Sequence, residues 1–247
     1  MTNKILATFD EAVADIPDGA TIMFTGFGRP GTPRNLIAAL LRQGAKDLVA
    51  ISNRAGGGRG ITDDTIDVGS LVEAGRVQKV ICSITAAAKR SMEVSFDRAY
   101  QAGEIDAEIV PQGTLAERIR AAGAGIGAFY TQTGVGTEIA EGKESRTLNG
   151  SDYLLEFPLL ADYAFVRAYR CDDWGNLQFR LAQRNFGPLM ASAARVTIVE
   201  VEEEVLDAGK IDPDHVHTPG NYVDRIVRIP APPGGIWDEV SRPRHEG

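Results

Sequence analysis

Two periodicities alternate along this chain. Short runs rich in apolar and β-branched residues, Ala20 to Phe24, Leu48 to Ser52, Val77 to Ile84, Ile105 to Val110 and Arg195 to Val201, have the length of buried strands. Between them apolar residues recur at helical spacing. Phe9, Val13 and Ile16 form one stripe, closed by the turn Pro17-Asp18-Gly19, and Leu36, Ile37, Leu40 and Leu41 form a second, stopped at Gly44. Ile66, Leu71 and Val72 mark a short helix closed at Gly75, and a helical run from Ala86 through Met92, Phe96 and Tyr100 reaches Gly103. Strand and helix in this alternation predict an α/β fold, a parallel sheet with helices on both faces.

Local signals refine the boundaries. Thr8-Phe9-Asp10-Glu11 and Thr114-Leu115-Ala116-Glu117 have capping-box spacing, so a helix is expected to open at each, and Pro33 is expected as a first helical residue. Ile126 to Tyr130 reads as a buried strand and Gly134-Val135-Gly136-Thr137 as a sharp turn. Lys143 to Leu148 and Tyr153 to Glu156 form a hairpin around Asn149-Gly150, and Tyr163 to Tyr169 with Leu177 to Phe179 form a second one around Asp172 to Asn176. Pro188 to Ala194 is a small-residue helix. No disordered linker divides the chain, so residues 1–229 are expected as one domain, followed by a proline-rich C-terminal arm over 230–247.

Composition narrows the function. The chain has 247 residues and a formal net charge of -8, which offers no basic field for nucleic acid. No apolar run approaches the ~20 residues needed to span a membrane, and the polar start at Met1-Thr2-Asn3-Lys4 predicts no secretory signal. Cys82 and Cys171 stand far apart, which fits two reduced thiols in a cytoplasmic protein.

Candidate chemistry centres on Gly26-Phe27-Gly28-Arg29-Pro30-Gly31-Thr32-Pro33, between the first strand and the second helical stripe. Gly26, Gly28 and Gly31 satisfy the G-x-G-x-x-G fingerprint of an NAD-binding oxidoreductase. Pro30 and Pro33 remove backbone donors from that cradle, however, and Asn53-Arg54 stands where the fingerprint wants an acidic residue roughly 20 residues further on. The loops expected at the carboxyl ends of strands, Gly26 to Gly31, Ser52 to Arg54 and Pro111 to Gly113, are better read together as one ligand site. The Ala55 to Thr62 stretch, with Arg59, reads as a loop beside the first. Asp212-Pro213-Asp214-His215-Val216-His217 has the composition of a metal site, but turn chemistry accounts for it and no metal is expected. Glu200, Glu202, Glu203 and Glu204 read as a solvated strand edge or terminus. Nothing pairs a nucleophile with a base, and no G-x-S-x-G elbow is present. Backbone donors with an asparagine and a glutamine polarise a carbonyl without attacking it, which is half of an active site.

The sequence resembles the A (alpha) subunits of class I, 3-oxoacid CoA-transferases. The resemblance runs through Asp18-Gly19-Ala20-Thr21-Ile22-Met23 with Gly26-Phe27-Gly28, Ile51-Ser52-Asn53, Val110 to Arg120, Gly134-Val135-Gly136-Thr137, Arg184-Asn185-Phe186-Gly187-Pro188-Leu189-Met190-Ala191, and Asp212-Pro213-Asp214-His215 with Thr218-Pro219-Gly220. It implies a three-layer α/β/α sandwich with an open, mostly parallel sheet, shared with sugar-phosphate isomerases. It also implies a CoA-transferase that works only with a B subunit, in a heterodimer or heterotetramer. CoA would move from succinyl-CoA to a 3-oxoacid with no cofactor, through a glutamyl-CoA intermediate on a glutamate of that B subunit. The nucleophile of the family lies in a Ser-Glu-Asn-Gly-like stretch that this chain lacks, so no catalytic nucleophile is expected here. Gly26, Phe27 and Gly28 would form the oxyanion and acyl loop, and Asn53, Arg54, Gln112 and Gly113 would bind substrate. Thr25 and Arg54 depart from the family, which usually has a glycine and an asparagine there. Val80-Ile81-Cys82-Ser83 and Gly125 to Phe129 look most like 3-oxoadipate CoA-transferases, with acetoacetate as the competing acceptor. Arg29, Arg54 and Arg59 could hold the second carboxylate of a dicarboxylic acid.

Overall fold

The computed structural model describes residues 3–56, 66–85 and 94–230. Most of the Ala55 to Thr62 loop with Arg59, the opening of the helix from Ala86 through Met92, and the arm beyond Pro230 lie outside the described residues. The N-terminal helix α1 (Phe9–Val13) is capped by the Thr8 hydroxyl, which accepts from the Glu11 N–H at 3.1 Å. The Glu11 carboxylate reaches back one residue past the cap, to the Ala7 N–H at 3.2 Å. Then follow β1 (Thr21–Phe24), α2 (Arg34–Gln43), β2 (Leu48–Ser52), α3 (Val68–Glu73), β3 (Val77–Cys82), α4 (Ser95–Gln101), β4 (Asp106–Ile109) and α5 (Gln112–Gly123). The second half contains β5 (Phe129–Thr131), β6 (Ser145–Leu148), β7 (Ser151–Glu156), β8 (Ala161–Ala168), β9 (Arg170–Cys171), β10 (Leu177–Gln178), α6 (Gly187–Ser192), β11 (Ala194–Val201) and β12 (Arg225–Arg228).

Among the described residues, seven strands form one sheet in the order β12-β11-β8-β1-β2-β3-β4, and every neighbouring pair is parallel. The chain winds outward from β1 to β4, then returns to place β8 on the other side of β1. This β1/β8 boundary is the switch point, beyond whose strand carboxyl ends α/β sheets bind ligands. Strand side chains alternate between faces. Ile22 and Phe24 enter a core with Leu36, Ile37, Leu40, Leu71 and Phe96 of α2 to α4, whereas Met23, Ile51 and Ile81 pack with Leu115, Ile119 and Met190 of α5 and α6. The result is the expected three-layer α/β/α sandwich.

Several boundaries move, each for a local reason. Pro33 precedes α2 as its cap residue, and the first helical residue is Arg34. Pro111 likewise starts α5 early, so Thr114 lies within its first turn and opens no helix. Leu115 N–H already bonds the Pro111 carbonyl at 2.8 Å. Ile126 to Tyr130 is not a buried strand. β5 covers only Phe129–Thr131, and it joins β7 and β6 in a small antiparallel sheet whose outer surface leaves Ile126 exposed. The Asn149-Gly150 hairpin is present, with both residues at positive φ (53° and 79°) as a two-residue turn requires. In the second expected hairpin, antiparallel pairing is confined to β9 and β10. Tyr163 to Ala168 belongs to β8, buried on both faces between β1 and β11, and that environment explains its near-continuous apolar run.

Candidate active site

The loop from Thr25 to Pro33 leaves β1 at the switch point. Gly26, Gly28 and Gly31 adopt φ values of 132°, 71° and 77°, a region that side chains with a Cβ rarely enter. Space adds to the requirement at Gly31, where a Cβ would lie 2.7 Å from both Asn185 Nδ2 and the Gln183 carbonyl. Hydroxyls tie the loop to itself. Thr25 Oγ1 donates to the Gly31 carbonyl at 2.7 Å, and Thr32 Oγ1 donates to the Gly28 carbonyl at 2.9 Å. Thr25 is therefore a brace of the loop.

The loop's amides are not equivalent. Gly26 N–H donates to Asn185 Oδ1 at 3.1 Å and Phe27 N–H donates to the Pro30 carbonyl at 3.1 Å, so both are committed internally. Among the described residues Gly28 N–H has no acceptor, and Gly28 lines the pocket between this loop and the end of β2.

The start of α2 has an unforeseen partner. Pro33 offers no capping side chain. Instead Glu200 of β11 accepts from the Asn35 and Leu36 N–H groups at 2.9 and 3.0 Å and from Asn35 Nδ2 at 3.3 Å. Arg167 of β8 completes the pair, with Nη1 3.2 Å from Glu200 and Nε 2.8 Å from Glu202. Glu200 is wholly buried, so the expectation of a solvated strand edge or terminus fails for it: β11 lies between β8 and β12, and the Glu200 carboxylate serves as the missing helix cap. Glu202 to Glu204 lie just past the end of β11, the first two half-buried and Glu204 exposed. Burial pushes the Glu200 carboxyl upward, against the pull of Arg167 and the two amides. This arrangement also counts against a dinucleotide. The first-turn amides that would cradle a pyrophosphate are already taken by a carboxylate of the protein.

The second wall comes from β2. Asn53 is buried, and its side-chain oxygen accepts from Gln112 Nε2, at the first turn of α5, at 2.6 Å. Asn53, Arg54, Gly26, Gly28 and Arg29 line one pocket. Gln112, Phe27 and Gly113, expected at the site, are exposed and stand outside the pocket lining, and Gln112 acts from there by fixing the Asn53 amide. Asp67 supplies a carboxylate to the wall, but its side chain is held by the Gly69 N–H at 2.8 Å as the cap of α3.

Other candidates take structural roles. Cys82 and Cys171 are buried, which pushes their thiols up to about 11 and about 12, so neither is a ready nucleophile. Asp212 caps the 3₁₀ turn Pro213–His215 by accepting from Asp214 N–H at 3.0 Å, and His217 Nδ1 accepts from Phe179 N–H at 2.9 Å. Among the described residues no group of three His, Cys, Asp or Glu side chains could hold a metal ion, and no helix is long and apolar enough to cross a membrane.

A family model described as coenzyme A transferase matches residues 6–228. The chain belongs to the coenzyme A transferase family. It is 49% identical over 229 residues to the A subunit of 3-oxoadipate CoA-transferase from Pseudomonas putida, covering 93% of this chain and 95% of that one. It is 47% identical over 224 residues to the A subunit of a probable succinyl-CoA:3-ketoacid coenzyme A transferase from Bacillus subtilis, covering 91% and 89%. Among solved structures, glutaconate coenzyme A-transferase from Acidaminococcus fermentans shares the fold, with a TM-score of 0.77 at 23% identity over 92% of this chain and 76% of that one. A cysteine-to-serine variant of the decarboxylase AibA/AibB matches with a TM-score of 0.76 at 26% identity, over 93% and 84%. The glycine loop, Asn53 and Gln112 were visible in the sequence as glycines and amides after strands, but the bond between the two amides was not. Asn185, Arg167 and Glu200 were not, because the groups they hold lie far away along the chain: 159 residues separate Gly26 from Asn185 and 165 separate Asn35 from Glu200.

Proposed function

We propose that this chain is the A subunit of a heteromeric CoA-transferase that moves CoA from succinyl-CoA to 3-oxoadipate and needs a B subunit to react. The observation that carries this reading is the make-up of the pocket. Among the described residues it is lined by Gly28, Asn53, Arg29 and Arg54, and the one carboxylate there, Asp67, is held as a helix cap. Such a site binds and polarises an acyl group and awaits an attacking group from elsewhere. The names of its relatives as A subunits accord with that division.

In the reaction, a glutamate of the partner B chain attacks the thioester carbonyl and expels the CoA thiolate, leaving an acyl-glutamyl anhydride. The thiolate then attacks the glutamyl carbonyl, releases succinate and forms glutamyl-CoA, from which the acceptor acid takes CoA by the same two steps in reverse. Negative charge develops on a carbonyl oxygen in each step. A donor aimed at that oxygen is worth about 3 to 4 kcal/mol of barrier, and Gly28 N–H, without an acceptor among the described residues, is assigned that role here. With its oxygen engaged by Gln112, Asn53 is left its NH2 group as the donor for the acyl chain. Arg29 and Arg54 line the pocket and suit the second carboxylate of a dicarboxylic substrate, succinyl-CoA or 3-oxoadipate alike, and the choice of 3-oxoadipate over acetoacetate follows the 49%-identical relative. The reaction needs no resident cofactor, and the cytoplasm is the compartment that fits it.

Co-expression with a B-type chain tests this. The mixed protein forms 3-oxoadipyl-CoA from succinyl-CoA as a heterodimer or heterotetramer, and the lone chain forms none. A lone chain that turns over at full rate overturns the proposal, and an acetoacetate rate above the 3-oxoadipate rate replaces the acceptor.

A further inference from the structure

We infer that Asn185 is a positioning residue of the glycine loop, which it bridges from Gly26 at the entrance to Pro30 at the exit, fixing where Gly28 sits in the pocket wall. Asn185 lies between the 3₁₀ turn Leu181–Arg184 and α6. Its Oδ1 accepts from Gly26 N–H at 3.1 Å and from Phe186 N–H at 2.7 Å. Its Nδ2 donates to the Pro30 carbonyl at 3.1 Å and faces the Ala182 and Gln183 carbonyls at 2.8 and 3.0 Å. The oxygen meets only donors and the nitrogen only acceptors, so one orientation of the amide satisfies every contact. No other common side chain offers an acceptor and a two-proton donor at that length.

The platform beneath it is rigid. Gln183 Oε1 accepts from Arg180 N–H at 3.1 Å, and Gln183 Nε2 donates to Glu202 at 2.9 Å. Glu202 also holds Arg167, which holds Glu200, the cap of α2. The two ends of the loop thus hang from one polar frame, through Asn185 on one side and through α2 on the other. Gly31 fits against this frame without room for a Cβ. Gly28 is free of both anchors and is the part of the loop that reaches the pocket.

The catalytic consequence rests on the function proposed above, and the experiment separates the two. Amide exchange by NMR on the isolated full chain reads the bridge without any activity. Asn185→Ala is expected to raise exchange at Gly26 and Phe27 at least tenfold while β11 stays protected. Asn185→Asp keeps the acceptor and sets a carboxylate against three carbonyls, so it is expected to do the same despite its nearly identical shape. With a B subunit, kcat should fall about 10- to 100-fold, as for a reacting group displaced by an ångström, with KM for succinyl-CoA within about twofold. Loss of folded protein would also lower apparent kcat at constant KM, so kcat is referred to the folded fraction, read from the protected β11 amides. Unchanged exchange overturns the bridge, and raised exchange with unchanged kcat overturns the positioning role. If the wild-type complex transfers no CoA, the proposed function fails and the exchange result still decides the bridge. Should both variants fail to fold, Gly31→Ala presses on the Asn185 amide from the loop side; loosened Gly26 and Phe27 amides are expected, and unchanged exchange there overturns the inference.

Discussion

Glu200 and Glu108 each stand on a strand of the parallel sheet and each face an arginine, yet they do different work. Glu200, in the interior, has no exposed surface; it binds Arg167 and the first amides of α2. Glu108 lies on β4 at the open edge, with its side chain 35% exposed, between Arg118 at 2.6 Å and Lys79 at 3.1 Å. Arg118 continues to Glu156, which also pairs with Lys143. The interior pair is embedded where water cannot substitute for a lost partner, and it fixes the geometry of the site. The edge charges lie along the strand that is outermost among the described residues, and water reaches Glu108 and Lys79 there, while Arg118 and Glu156 behind them are largely buried.

The largest expected effect breaks the interior. Glu200→Ala leaves Arg167 partly unpaired and strips the start of α2, and it should cost about 3 to 5 kcal/mol in denaturant unfolding. Glu200→Gln keeps one acceptor for the helix amides and should cost less, so the ordering of the two variants separates capping from charge. A loss below about 1 kcal/mol for Glu200→Ala would place it with the exposed pairs.

Gln112 joins the two regions, since it follows β4 and grips Asn53. Gln112→Ala should lower kcat of the complex about 10- to 100-fold by freeing the Asn53 amide, while the exposed position leaves the unfolding midpoint close to that of the wild type. An unchanged kcat would mean that Asn53 is held without it.

At the edge, Glu108→Gln should change stability by no more than about 1 kcal/mol, and the difference should shrink in high salt. Burial raises the Glu108 carboxyl, but Arg118 and then Lys79 more than offset this and hold it below its ordinary value. Its folded value therefore lies below its unfolded one. The contribution is fully present above the unfolded carboxylate range and is lost as pH falls through the lowered value. The difference between wild type and Glu108→Gln, followed from pH 7 into acid, should narrow; a widening gap would reverse the sign assigned to Arg118.

The sequence made the same distinction only in part. Strand and helix order, the β1 glycine loop and the Asn53 turn were legible because they depend on periodicity and turn chemistry over a few residues. Glu200 read as solvated because a run of glutamates carries no local sign of an arginine that joins it only when β8 and β11 pair. Thr114 read as a cap because its spacing to Glu117 is right, but Pro111 had already begun the helix. Asn185 looked like one residue of a long motif. Its amide acquires a purpose only beside a loop at the opposite end of the chain.

The long span between Asn35 and Glu200 has a consequence for synthesis. A nascent chain that has made β1, α2 and β2 carries every glycine of the loop, yet β8, Asn185 and Glu200 have not been made. Its helix start is uncapped, and β1 has a neighbour on one side only. Local contacts cannot close this frame, and the entropic cost of the long loops delays it until the final third of the chain emerges. A prematurely ended polypeptide therefore cannot display the finished loop, and a partner that recognises the loop's shape would pass over truncated copies.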